Sequence, residues 1–210
     1  MLPALLLAAG VALSPEVERV LARWPADSLL GPLRRVETEA GHGAPAAEAA
    51  MWLGHLHVAR GEYRLAAEAY ARAAARFDPV RKDEALYWAG IAWLGAPDPR
   101  RARALFEQVE RDASPRRPEA TLGIALAWLA EQHPERALKV LTRLTAKDAG
   151  ETGPGALQAL ATAAERAGRP EVARAARERL RRQYPASLEA AGVGPDGEAG
   201  GVPGREPGRP

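Results

Sequence analysis

Blocks of apolar residues, separated by charged residues, Pro and Gly, run along most of the chain. The stretch ALYWAGIAWLG, Ala85–Gly95, is one such block, with RKDE before it and DPRRAR after it. Strand signals are almost absent, and Ala, Leu, Arg and Glu, which are all good helix formers, dominate. The pattern therefore predicts an all-α chain whose helices end at Pro and Gly.

The small residues and the breaks recur with a period near 35 residues. One ladder of small residues has steps of 36, 35 and 36: Gly54, Gly90, Ala125, Ala161. A ladder of alanines has the same steps: Ala66, Ala102, Ala137, Ala173. Two further ladders share this phase: Tyr70, Phe106, Leu141 and Pro99, Pro134, Pro170. A fixed period of this length indicates stacked helix pairs, each too small to bury its own apolar face.

Each predicted pair has small residues where its two helices cross. Leu86, Gly90, Ala102, Phe106 and Pro115 follow a pattern that resembles the tetratricopeptide repeat (TPR), W-x2-L-G-x2-Y, then A-x3-F, then P. The resemblance covers about residues 46–185 and implies a right-handed superhelical solenoid of about four TPR-like helix pairs. We expect the tryptophans to be packing residues rather than a ligand cage. Arg177 replaces the expected aromatic or Leu, which predicts that the last face of the fourth pair meets water.

A narrower resemblance concerns the segments DEALYWAGIAWL, ARALFEQV and RERLRRQYPASLEA. They are similar to repeats of bacterial cell-envelope TPR proteins, such as the Tol-Pal-associated periplasmic protein and the outer-membrane assembly lipoprotein. The chain departs from both, because residues 14–41 contain only two short helical patterns and no cysteine is present for lipidation. The resemblance implies an envelope role and no individual site residues.

The two ends differ from the middle. Residues 1–12 lack charged side chains and end in Gly10-Val11-Ala12, which favours a signal peptide over an apolar helix buried on the solenoid. The predicted location is periplasmic or secreted, with a cytoplasmic protein as the alternative. Residues 13–44 form an N-terminal helical segment and 45–190 the solenoid. Residues 191–210, rich in Gly and Pro, are predicted to be disordered.

Composition and charge narrow the function. The net charge of +2 gives no concentrated basic face, and the absence of cysteine excludes disulfides and thiol chemistry. His55 and His57 are two positions apart on a helix, so they do not form a metal pair. Capping or turn roles account for the four serines, and no phosphate-binding glycine loop occurs. We predict no enzyme activity, cofactor or metal.

The repeat phase identifies a candidate groove for a partner protein. The equivalent positions on the first helix of each pair form an apolar stripe in the first three pairs: Met51, His55, Tyr87, Ile91, Leu122 and Leu126. Gln158 and Thr162 continue it in the fourth. None of these residues is the Lys, Arg or Asn that holds a C-terminal carboxylate in some TPR domains. Glu48, Glu84 and Glu119 are expected one turn away, flanking the stripe.

The prediction is a non-enzymatic scaffold that binds a partner segment on this stripe, with no transmembrane segment in the mature chain and no specific nucleic acid. Coverage of the stripe by the N-terminal helices is the alternative interpretation. An alternative function places nucleic acid or an anionic membrane on the Arg-rich C-terminal helix, in the run ARAARERLRR. A solvated terminal face is the simpler explanation of that run.

Overall fold

The structure is a computed structural model that describes residues 13–112, 114–146, 153–187 and 189. The described residues form ten α-helices and one short 3-10 turn, Ala26–Ser28, and contain no β-strand. In chain order the helices are α1 Pro15–Arg23, α2 Leu30–Glu39, α3 Ala44–Ala59, α4 Tyr63–Ala74, α5 Pro79–Gly95, α6 Pro99–Arg111, α7 Arg117–Ala130, α8 Pro134–Ala146, α9 Gly153–Arg166 and α10 Pro170–Gln183. The all-helical prediction is confirmed, and residues 1–12 and 191–210 lie outside the described residues, so the predictions for both ends stay predictions.

The same backbone turn joins the two helices of every predicted pair. One amide hydrogen bond spans five residues at each turn: Glu62 to His57, Asp98 to Trp93, His133 to Trp128, and Arg169 to Ala164, at 2.8–2.9 Å. Gly61 and Gly168 have φ of +73° and +69° in these turns, a conformation that Gly adopts without steric cost. Three of the second helices begin at the proline of the repeat: Pro99, Pro134 and Pro170.

Small residues lie where helices come close, as the ladders predict. Both ladders of small residues are buried in all four pairs. A Cβ built on Gly90 would lie 2.6 Å from Cε1 of Phe106, and one on Gly123 would lie 2.7 Å from Cζ of the same ring. A Cβ built on Gly54 would collide in the same way with the ring of Tyr70. The glycines therefore allow a large buried ring on the second helix to pack directly against the backbone of the first.

The chain forms two compact bodies, Met1–Ala127 and Trp128–Pro210. Consecutive helices from α2 to α6 pack on one another in the first body. At its N-terminal end, Val17 of α1, Leu33 of α2 and Leu29, the residue before α2, are buried against one side of α3. The α3 residues in that core are Ala49, Trp52, Leu53 and Leu56.

In the second body, α9 packs on both α8 and α10. Leu157 and Leu180 are buried together with half-buried Tyr184 beside them. Arg177 corrects the expectation that this position meets water, because it is only 4% exposed and its guanidinium pairs with the Glu165 carboxylate. A partner for the charge, rather than solvent, makes an arginine acceptable at the crossing position, the one that Tyr70, Phe106 and Leu141 occupy in the other three pairs.

Candidate functional site

The six residues of the apolar stripe lie on α3, α5 and α7, all within the first body. Five of them are half-buried, and Leu126 is 37% exposed. Met51 packs beside the buried core of α4 and α5. The stripe thus keeps accessible apolar surface at equivalent positions of three helices, with the largest exposed fraction at Leu126.

The ring of Tyr87 packs against two other aromatic rings, one of them fully buried. Its ring centre lies 5.9 Å from that of Phe106 and 5.5 Å from that of Trp88. The guanidinium carbon of Arg116 is 5.5 Å from the Tyr87 ring centre. Burial raises the pKa of the Tyr87 hydroxyl, and Glu119 raises it further against the opposing effect of Arg116. Tyr87 therefore presents a protonated phenol and part of a rigidly supported ring.

His55 belongs to the packing of the first body as much as to the stripe. Its ring makes edge contacts with three aromatic rings, those of Trp52, Tyr70 and Trp88. Burial lowers the pKa of His55 to about 4, although the Glu84 carboxylate acts in the opposite direction. Burial also raises the pKa of Tyr70, whose hydroxyl oxygen lies 2.7 Å from His55 Nδ1. The protonated phenol can therefore donate a hydrogen bond to a neutral imidazole.

The glutamates predicted to flank the stripe are not equivalent. Glu48 is 3% exposed and accepts hydrogen bonds from the Ser14 amide, the Ser14 hydroxyl and Arg81, at 2.7, 2.7 and 2.9 Å. Glu84 pairs with Arg116 at 2.8 Å. Glu48 and Glu84 therefore offer no free acidic charge, because arginines from the following helix pair neutralise them. Ser14 likewise binds Glu48 instead of capping its own helix through its side chain.

Glu119 is the exception among these glutamates. It is half-buried and makes no ion pair with any residue that the structure describes. Arg81 and Arg116 occupy equivalent positions 35 residues apart, and the equivalent position of the fourth pair is Thr152 rather than an arginine. This spacing is the sequence signal by which the two pairing arginines could have been found. Glu119, which lies near Tyr87, therefore lacks the arginine that pairs with each of its equivalents, Glu48 and Glu84.

The N-terminal helices use a different side of α3 from the stripe. Their core contacts involve Trp52 and its neighbours, whereas Met51 packs in the core formed with α4 and α5. In the second body, Thr162 is half-buried and its hydroxyl donates to the Gln158 carbonyl at 3.1 Å. The stripe therefore does not continue as apolar surface on α9.

Two arginines of the Arg-rich helix α10 form ion pairs within the protein. Arg177 pairs with Glu165 and Arg174 with Glu171. The first residue before the helix, Arg169, lies 3.5 Å from Glu135. These contacts reduce the positive charge that is available to a polyanion.

Within the described ranges, no three His, Cys, Asp or Glu residues are grouped so as to hold a metal ion. No helix in the same ranges has both the length and the apolar character needed to cross a bilayer.

Short turns, buried small residues and consecutively packed helix pairs are the features of the tetratricopeptide repeat fold. Residues 94–159 match the sequence profile described as "Tetratricopeptide repeat". No curated protein sequence matches the chain.

Similar solved structures are TPR proteins. The putative kinesin light chain repeats of Podosopora anserina, described as nearly identical TPR-like repeats, superpose with a TM-score of 0.62 at 16% identity, over 75% of this chain and 86% of that one. YrrB, a TPR protein with an unusual peptide-binding site, gives 0.60 at 16% identity, over 79% and 81%. TTC0263, a thermophilic TPR protein in Thermus thermophilus, gives 0.59 at 21% identity, over 82% and 89%. The likeness is one of fold, and the narrower resemblance to envelope proteins stays a prediction.

Proposed function

We propose that the protein is a non-enzymatic interaction scaffold that binds a segment of a partner protein on the apolar stripe. The fold is typical of protein-interaction scaffolds, and helix pairs of this kind present one face to a peptide. The observation that carries the proposal is that Leu126 on α7 is 37% exposed. The half-buried ring of Tyr87 on α5 adds accessible apolar surface to the same stripe. YrrB, which has a similar fold, has an unusual peptide-binding site, and this supports the same kind of ligand here.

The chemistry of the stripe selects the partner segment. Its apolar residues favour a segment with apolar side chains as anchors, because burial of apolar surface drives association. Glu119, which has no ion pair among the described residues, favours a Lys or Arg next to those anchors. The stripe offers no basic side chain to an acidic C-terminal tail, so such a tail is not the expected ligand.

A random peptide library displayed on phage tests this proposal without knowledge of the natural partner. Selection on the wild-type protein should enrich peptides with two or more apolar anchors next to a basic residue. The same library should lose that enrichment on Leu126→Asp, which places a charge in the stripe. Leu65→Asp is the matched control, because Leu65 is 45% exposed on α4 and lies outside the stripe.

Three outcomes of the selection contradict the proposal. Either equal enrichment on Leu126→Asp or a consensus of acidic C-terminal peptides places the binding surface elsewhere. Failure of any peptide to enrich on the wild-type protein contradicts it as well.

We also propose that residues 1–12 direct export to the periplasm or beyond, which fits a role in assembly or maintenance of the cell envelope. The support is the apolar, uncharged sequence that ends in Gly10-Val11-Ala12. Intact mass analysis of native protein should find a chain that begins at Leu13. Recovery of a chain that retains Met1–Ala12 would assign the protein to the cytoplasm.

A further inference from the structure

A cleft in the first body shares no residue with the apolar stripe. It lies between the end of α4, the start of α5 and the residue after α6, and its volume is about 410 Å³. Two alanines and a proline form part of its wall. The remaining lining residues are Phe77, Lys82, Asp83 and Asp112.

Asp83 is the unusual residue of this cleft. It is 7% exposed, yet its carboxylate makes no hydrogen bond or ion pair with any residue that the structure describes. Its oxygens are not among the fully enclosed polar atoms that lack a partner, and Asp83 lines the cleft, so a ligand in the cleft can reach the carboxylate. The carboxylate is therefore an accessible negative charge, unpaired among the described residues, on an otherwise enclosed side chain.

The repeat does not require an aspartate at this position. The equivalent residues of the other three pairs are apolar: Ala47, Pro118 and Pro154. Ala47 is fully buried, which shows that a small apolar side chain suits the same site on α3. Packing alone therefore does not explain Asp83, and its charge is a specific feature of the second helix pair.

The lining residues favour a planar organic cation. Asp83 and Asp112 supply two carboxylates against one ammonium group, that of Lys82. Two carboxylates without a third ligand make a poor metal site, and no group of three metal ligands exists in the described ranges. Phe77 already carries one guanidinium, because the Arg81 guanidinium carbon lies 4.2 Å from its ring centre. A guanidinium group binds a carboxylate through two parallel hydrogen bonds and stacks on aromatic rings.

We propose that the Asp83 cleft binds the guanidinium group of an arginine side chain carried by a partner protein. The arginine donates hydrogen bonds to Asp83, Asp112 adds attraction at the rim, and Lys82 opposes binding through its charge. This second contact point is independent of the apolar stripe, so either can fail without the other.

Nuclear magnetic resonance with the full chain tests the proposal, with N-acetyl-arginine methylamide as the probe. Titration should shift the amide signals of Ala75, Phe77 and Asp83 in a saturable way. The matched ligand control is N-acetyl-citrulline methylamide, which has nearly the same shape and no charge, and it should leave those signals unchanged. N-acetyl-lysine methylamide and spermidine should bind more weakly than the arginine probe, because neither has a planar fork of donors.

Variants of the cleft separate the roles of its charges. Asp83→Asn should weaken the arginine probe by roughly tenfold or more, which corresponds to the loss of one charged hydrogen-bonding partner. Lys82→Ala should strengthen binding, because it removes the opposing charge. Signals far from the cleft should stay in place in Asp83→Asn, which reports that the fold is intact.

The proposal is overturned if the citrulline and arginine probes shift the same signals equally, or if Asp83→Asn binds as tightly as the wild type. Absence of any shift with the arginine probe overturns it too. Stronger binding of spermidine than of the arginine probe would assign the cleft to free polyamines instead of a protein arginine.

Discussion

The pairs α5–α6 and α9–α10 have the same turn and the same crossing position, but they fill that position with opposite chemistry. In α6, Phe106 is fully buried, with its ring against the backbone of Gly90 and of Gly123. In α10, the equivalent residue is Arg177, which is 4% exposed and pairs with Glu165. The first pair buries an aromatic ring and the last buries a charge with its partner.

This difference teaches which part of the repeat is constrained. The turn hydrogen bond and the small residue on the first helix persist, because they set how closely two helices approach. The side chain at the crossing position varies, provided that its packing space or its hydrogen-bond acceptor is present. A ring requires glycine beneath it, whereas a guanidinium requires an acceptor.

Loss of the Phe106 ring should be the most damaging single change. Phe106→Ala removes a fully buried ring between two helices and leaves a cavity, which costs about 3–5 kcal/mol of unfolding free energy. Urea unfolding followed by circular dichroism measures the loss. A cost below about 1 kcal/mol would mean that this crossing is not tightly packed.

A side chain added beneath the ring should be the next most damaging change. Gly90→Leu places its Cβ 2.6 Å from Phe106 Cε1, and such overpacking costs about 1–3 kcal/mol or more. Gly31→Leu on α2 is the matched control, because a Cβ there meets nothing within 4 Å. The control should lose less stability than Gly90→Leu, because only the neighbouring Pro32 restricts a side chain at that position. Equal unfolding curves for the two variants would contradict the close approach at Gly90.

Acid should weaken the aromatic region of the first body through His55. The pKa of His55 falls from 6.5 to about 4 on folding, so below pH 6.5 the unfolded chain binds a proton that the folded chain does not. Stability is therefore fully retained above pH 6.5 and is lost as the pH falls toward 4, by up to roughly 2 kcal/mol at pH 5. Urea unfolding at pH 7 and pH 5 should show a smaller loss for His55→Gln than for the wild type. Identical losses would show that His55 does not titrate with folding.

The smallest effect is expected at the crossing of the last pair. Arg177→Leu exchanges a buried ion pair for apolar contact, and such exchanges often leave stability within about 1 kcal/mol or raise it. Glu165 remains accessible to water, since its side chain is 44% exposed. A loss as large as that of Phe106→Ala would mean that the ion pair is essential to the α9–α10 pair.

The sequence predicts the parts of the fold that repeat, because each recurs at a fixed spacing. The helix-starting prolines Pro99, Pro134 and Pro170 are found where their ladder places them. The partners of single polar groups escape prediction, since they depend on packing between distant segments. Ser14 on Glu48 and Glu165 on Arg177 are such cases. The stripe is predictable as a set of positions, and the repeat spacing of Arg81 and Arg116 is a sequence signal for the pairing of Arg116 with Glu84 that the structure makes evident.

Calorimetric titration of a library-selected peptide tests the proposed function most directly. Leu126→Ala should weaken the peptide by roughly tenfold or more, as expected for an apolar anchor contact at an interface centre. Leu65→Ala, which truncates a leucine of similar exposure on α4, should bind the peptide as the wild type does. Equal affinity of Leu126→Ala and the wild type, with the fold of both intact by circular dichroism, would contradict binding on the apolar stripe.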